Sequence, residues 1–251
     1  MAILESVGLT KSFDGFVAVD DVSLKFEERQ LTAIIGPNGA GKSTFFNLLS
    51  GKYRPTSGSL VFNGEDVTGL PPHEMLRRGM GRSFQITNIF PALSAYENIR
   101  IGILAKTGLG RRLFPRADNL PEIQEKTWEA LKTVYLEEAA NVVAGTLAYG
   151  DQRRLEIGLA LTCRPRVLLL DEPTAGMTPE ETRSLTGLIK SIARQRGLTV
   201  ILTEHDMEVV FSIAERIVVL QQGGVIAEGT QAEIQADPRV REAYLGGEEE
   251  C

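Results

Sequence analysis

The chain has two cysteines in 251 residues, Cys163 and Cys251, so it carries neither a disulfide framework nor the paired spacing of a zinc site. A reducing compartment is the expectation. No apolar run approaches the roughly 18 residues needed to span a bilayer, and Glu5 and Lys11 interrupt any signal-peptide core near the start. There is no basic stretch either. With a net charge of -6 the chain lacks the electrostatic footprint of a nucleic-acid binder, so any phosphate affinity must be local. Sustained heptads are missing, which excludes a long coiled coil. The one biased tract is the acidic run 248–250, expected to be a solvated tail. What remains is an ordinary globular composition, 43% hydrophobic and 24% charged. A chain of this length forms one or two domains and can bury about 70–75% of its unfolded surface.

Against that background one segment stands out, Gly36-Pro37-Asn38-Gly39-Ala40-Gly41-Lys42-Ser43-Thr44. It fits the P-loop pattern G-x-x-x-x-G-K-[ST], in which glycines let backbone N–H groups close around phosphates while a lysine and a hydroxyl complete the cradle. At average residue usage the pattern arises by accident in roughly one in a hundred chains of this size. An apolar stretch from Leu31 to Ile35 precedes it, and Phe45, Leu48 and Leu49 follow at helical spacing until Gly51. The reading is strand, glycine loop, helix, with the positive helix end facing the loop.

Period-two alternation predicts strands early in the chain, with Val7, Leu9, Lys11 and Phe13 on one side and Val22, Leu24 and Phe26 opposed to Ser23 and Lys25. Continuous apolar runs at 167–170 and 200–202 predict parallel strands covered on both faces. Thr178-Pro179-Glu180-Glu181 forms a capping box with proline at the first helical position. Asp206 is placed to cap a helix carrying Met207, Val210 and Ile213. Two carboxylates, Asp171 and Glu172, end the first apolar run, where α/β sheets bind ligands. Residues 86–160 read as helical, with Trp128, Leu131, Val134 and Tyr135 on one face and a Gly/Arg/Pro-rich loop at 106–121. That loop carries Lys106, Arg111, Arg112 and Arg116 around Leu113 and Phe114 and is expected to be solvated.

The order of the P-loop, Arg82-Ser83-Phe84-Gln85, Leu147-Ala148-Tyr149-Gly150-Asp151-Gln152, the run ending in Asp171-Glu172, and His205 resembles the nucleotide-binding subunits of ABC transporters over nearly the whole chain. The resemblance implies a P-loop NTPase (RecA-like) α/β core with an antiparallel β subdomain and an inserted helical subdomain. Core segments would be 1–85 and 161–230, the helical subdomain 86–160 and a C-terminal extension 231–251. It implies ATP and Mg²⁺ as ligands. Gly36, Pro37, Asn38, Gly39, Ala40, Gly41, Lys42, Ser43 and Thr44 would hold ATP, with Ser43, Gln85 and Asp171 toward Mg²⁺. Catalytic roles fall to Glu172, which polarises the attacking water, and to Lys42, Gln85 and His205. Phe13 matches the aromatic that stacks on adenine, although an aromatic on an alternating strand is also a core residue.

By the same resemblance Ala148, Tyr149, Gly150 and Asp151 form the signature segment that faces the ATP of a second subunit, in a homo- or heterodimer. Here Ala148 replaces the usual serine and cannot cap its helix, a loss of about 1 kcal/mol. Thr178 stands where an aspartate is usual. The Ala-Tyr-Gly form and the ending Glu242-Ala243-Tyr244-Leu245-Gly246 resemble branched-chain amino acid importers. Expected partners are transmembrane permease subunits and, indirectly, a solute-binding protein. The expected place is the cytoplasmic face of the plasma (inner) membrane, as a peripheral subunit. Rival readings are a lipopolysaccharide-export or urea-uptake ATPase, a DNA-repair ATPase and a non-hydrolysing regulatory module.

Overall fold

The computed structural model describes residues 1–82, 89–107 and 121–245. Gln85, Ile86 and most of the basic loop therefore lie outside the described residues.

Four strands, β1 (Ala2–Phe13), β2 (Phe16–Glu27), β4 (Ser57–Phe62) and β5 (Glu65–Asp66), form an antiparallel sheet in the order β2-β1-β4-β5. Six others, β3 (Leu31–Ile35), β6 (Met80–Arg82), β7 (Val167–Asp171), β8 (Thr199–Thr203), β9 (Arg216–Gln221) and β10 (Gly224–Gly229), form the second sheet, ordered β10-β9-β3-β8-β7-β6. Every neighbouring pair in it is parallel except β9 and β10. The expected buried runs are β7 and β8, adjacent strands with a neighbour on either side.

Strand alternation divides the parallel sheet between two cores. Ile34, Val167, Leu169 and Ile201 face the antiparallel sheet and helix α1 (Lys42–Leu49), meeting Phe26, Phe45 and Phe46. Ala33, Ile35, Leu168, Leu170, Val200 and Leu202 face the opposite layer of helices. That layer includes α3 (Ala95–Thr107), α4 (Pro121–Thr133), α5 (Tyr149–Thr162), α6 (Pro179–Arg196) and α7 (Met207–Ile213). Each fully buried Leu, Ile or Phe contributes about 1.5–3 kcal/mol relative to exposure. The remaining helices are α2 (Pro72–Arg78), α8 (Gln231–Ala236) and α9 (Pro238–Leu245).

Two expectations shift. The early alternation is broken, because β1 changes register between Ser6 and Leu9, at a Gly8 with φ 58°. Leu9 points inward while Val7 is 52% exposed. The bulge moves one residue and flips the faces beyond it. In α4 the buried stripe is Ile123, Thr127 and Leu131, at i, i+4 and i+8. Trp128 and Tyr135 are exposed, Trp128 lying against Tyr96 at 5.5 Å between rings. Tyr135 is past the helix end with φ 58°, so the helical period no longer governs its direction.

Candidate functional site: a phosphate loop facing two carboxylates

The loop 36–44 leaves the carboxyl end of β3 and enters α1. Its backbone is hemmed in by neighbouring carbonyls. A Cβ on Gly36 would lie 2.1 Å from the Leu220 carbonyl oxygen, and one on Gly41 would lie 2.4 Å from that of Ala18. Both glycines also have positive φ, 154° and 95°, so no side chain fits either position. Gly223 N–H donates to Ala40 O at 3.1 Å and pins the loop to the β9–β10 turn. Helix α1 has no side-chain cap, since Gly41 stands at its N-cap. Its first N–H groups face the loop, an arrangement that suits an anion.

Lys42 spans the loop from inside. Its Nζ donates to Gly36 O at 2.6 Å and Pro37 O at 3.0 Å. Burial lowers its pKa, and the charges of Glu172 and Asp171 oppose that shift. The same closeness places both carboxylates across from the loop. Ser43 is exposed in the first turn of α1.

Asp171, the last residue of β7, is 3% exposed and both of its oxygens are engaged. Oδ1 accepts from the Thr203 hydroxyl at 2.7 Å and Oδ2 from Arg82 at 3.1 Å. Arg82 ends β6 and also donates to Asn47 Oδ1 at 2.8 Å and to Ser50 Oγ on the far end of α1. Its guanidinium lies 5.7 Å from the Phe46 ring centroid. Burial pulls the Arg82 pKa down while the adjacent Asp171 charge pulls it up. Glu172, half-buried, follows with φ 45°, and its N–H is shared by Thr203 O at 3.1 Å and Thr203 Oγ1 at 3.0 Å. His205 is exposed just beyond β8, and Asp206 caps α7 through the N–H groups of Glu208 and Val209.

The four neighbouring strands β3, β8, β7 and β6 therefore carry the P-loop, His205, the carboxylate pair and Arg82 to one carboxyl-end edge. Arg82, Thr203, Asn47 and Glu204 were not assigned a role from the sequence. Their one signal is polarity at the end of an apolar strand or helix. Phe13 is 38% exposed, edge-on to Tyr53 at 5.4 Å with Lys11 Nζ 4.9 Å from its centroid. It is not a core residue.

The signature segment opens elsewhere. Ala148 stands at the N-cap of α5 without a side-chain cap. Tyr149 OH accepts from Arg153 at 2.8 Å, and that buried guanidinium also pairs with Glu156 at 3.0 Å. A depression of about 210 Å³ at this helix start is lined by Ala148, Gly150, Asp151, Arg154 and Glu181, with no P-loop residue among them. Glu181 is held by the Thr178 capping box, and the Gly150 N–H also helps to lower its pKa. Thr178, in the usual aspartate position, is thus occupied as a helix cap.

A P-loop at the carboxyl edge of a parallel sheet, with an antiparallel sheet on one face and helices on the other, defines an ATP-binding cassette. The family model for ABC transporters matches residues 19–175, and one for the branched-chain amino acid ATP-binding cassette transporter matches 225–250. A high-affinity branched-chain amino acid transport ATP-binding protein, BraF of Pseudomonas aeruginosa, is 45% identical, covering 97% of this chain and 98% of its own. An ATP-binding cassette of an ABC transporter solved in its ADP conformation superposes with a TM-score of 0.87 at 30% identity, over 98% of this chain and 99% of that one. A dimeric cassette in a post-hydrolysis state with ADP and Pi gives 0.76 at 28% identity, over 90% and 98%. The chain belongs to the ATP-binding subunits of ABC transporters and, among them, to the branched-chain amino acid group. It is an ABC-type ATPase and a component of a transporter. No described helix is long and apolar enough to cross a membrane.

Proposed function

We propose that this chain hydrolyses ATP at a site shared with a second ATP-binding subunit and thereby drives import of branched-chain amino acids. The observation that carries the shared site is that the depression at the signature helix start is lined by no residue of the P-loop. The similarity to the branched-chain amino acid transport ATP-binding protein BraF supports the solute.

In this reading residues 36–44 cradle the phosphates of ATP, and Lys42 leaves the Gly36 and Pro37 carbonyls for the β- and γ-phosphates. Phe13 stacks on adenine. Glu172 orients the attacking water, His205 contacts the γ-phosphate, and the Gln85 amide would reach both the attacking water and a bound Mg²⁺. The partner's Ala148–Asp151 helix start completes the charge stabilisation through backbone N–H groups. A hydroxyl from Ser43 and a carboxylate from Asp171 suit Mg²⁺, which takes one or two protein ligands beside phosphate oxygens and water. When bound it neutralises phosphate charge. Asp171 is already held in place for this by Thr203 and Arg82. Residues 1–85 and 161–230 act as the ATP-binding core, 86–160 as the signature-bearing subdomain and 231–251 as an extension. Permease subunits dock the assembly to the cytoplasmic face of the membrane, and a solute-binding protein delivers the solute to them.

Deleting the gene is expected to abolish high-affinity uptake of leucine, isoleucine and valine, measured with labelled amino acids, and plasmid-borne wild type to restore it. Unchanged uptake of all three, with loss of urea uptake or lipopolysaccharide export instead, would retain the ATPase and discard the solute.

A further inference from the structure

Glu204 is a fully buried carboxylate, 0% exposed, between the strand end that carries Asp171's partner Thr203 and the exposed His205. One oxygen, Oε1, accepts twice from a single residue on another strand's loop, from Thr174 N–H at 3.1 Å and Thr174 Oγ1 at 2.7 Å. Oε2 is buried without a hydrogen-bond partner. A buried carboxylate incompletely satisfied is costly, so its presence calls for a reason.

The turn it grips explains one. Glu172 has φ 45°, the left-handed region, although it is not glycine and precedes Pro173, which further restricts it. Such a backbone persists only where its surroundings over-determine it. Here two consecutive residues of β8's end supply the restraint. Thr203 takes the N–H of Glu172, and Glu204 takes both donors of Thr174, one on each side of Pro173.

We infer that Glu204 is a positioning residue for hydrolysis: by tying Thr174 to the His205 turn, it keeps the Glu172 carboxylate and the His205 imidazole in fixed register across two strands. It acts through Thr174 and its own chain neighbour, and has no direct part in the chemistry. The inference rests on the roles proposed above for Glu172 and His205. Burial raises the Glu204 pKa, and the Thr174 donors and the His205 charge oppose that shift. The tie itself requires an accepting oxygen in the Oε1 position, which an amide also provides.

The test uses the full chain with Glu204→Ala, Glu204→Gln and Thr174→Val. Glu204→Ala should lower kcat for ATP about 10–10²-fold, the scale of a misplacement near 1 Å, with KM for ATP within threefold because the P-loop is untouched. Glu204→Gln should stay within threefold of wild type in both constants, and Glu204→Ala/Thr174→Val should be no slower than Glu204→Ala alone. Amide hydrogen exchange without nucleotide gives an independent reading. The Thr174 amide should be protected in wild type and Glu204→Gln, and exchange at least tenfold faster in Glu204→Ala. The inference is overturned if Glu204→Ala changes KM alone, if Glu204→Gln is as slow as Glu204→Ala, or if exchange at the Thr174 amide is the same in all proteins. A wild-type chain that fails to hydrolyse ATP would contradict the proposed function, while the exchange comparison would still decide whether the tie exists.

Discussion

Glu172→Gln is expected to bind Mg-ATP like wild type and to hydrolyse it about 10²–10⁴-fold more slowly, the range for a positioned acid–base group. The expectation follows from how the residue is held. Its backbone is fixed by two acceptors on Thr203, so the amide of the variant occupies the place of the carboxylate. Asp171 cannot substitute, because both of its oxygens are engaged by Thr203 and Arg82 in a site almost closed to solvent. Lys42 keeps Asp171 as one of its two charge neighbours, so the phosphate loop retains its cation. Single-turnover hydrolysis measures the effect directly. A variant within threefold of wild type would show that a different group orients the water.

Arg82→Ala carries the largest expected loss of stability, about 3–5 kcal/mol, the cost of removing one partner from a buried ion pair. Arg82 is 9% and Asp171 3% exposed by side chain, so water does not replace what is lost. The substitution also strips donors from Asn47 and Ser50, and with them the link between α1's far end and β6 and β7. Lysine does not restore this, since one ammonium cannot present the planar fork that serves Asp171 and Asn47 together. Urea unfolding followed by far-UV circular dichroism should show the loss as a lower midpoint at unchanged slope. A change below about 1 kcal/mol would mean that the pair behaves as a surface salt bridge.

Local features were legible in the sequence because each is set by residues a few positions apart. The strand, glycine loop and helix at 31–51 emerge where the pattern places them, and so do the capping box at Thr178 and the cap at Asp206. The buried strands β7 and β8 also follow from apolar continuity alone. Features that depend on distant partners were not legible. Arg82 meets Asp171 across 89 residues, and Thr174 meets Glu204 across 30. No periodicity reports such pairs. The Gly8 bulge escaped for a different reason, since alternation assumes an unbroken pleat and one inserted residue reverses it. Trp128 shares a face with Leu131 by helical spacing, yet Ile123, Thr127 and Leu131 already fill the buried stripe of α4.

The signature segment shows where a departure from the family pattern has a visible structural counterpart. Ala148 supplies no cap, as its side chain dictates, and Glu181 of the neighbouring helix lies against Gly150, where a Cβ would be 3.1 Å from Oε1. An acidic group near a helix N-terminus is favourable. It offsets part of the missing cap from within the same chain.

If one chain holds half of each nucleotide site, as proposed, light scattering on the Glu172→Gln protein will reveal it. Without nucleotide the protein should run as a monomer, and with Mg-ATP it should shift to a dimer that dissociates when Mg²⁺ is chelated. A mass that is the same with and without Mg-ATP at every concentration would contradict the shared site.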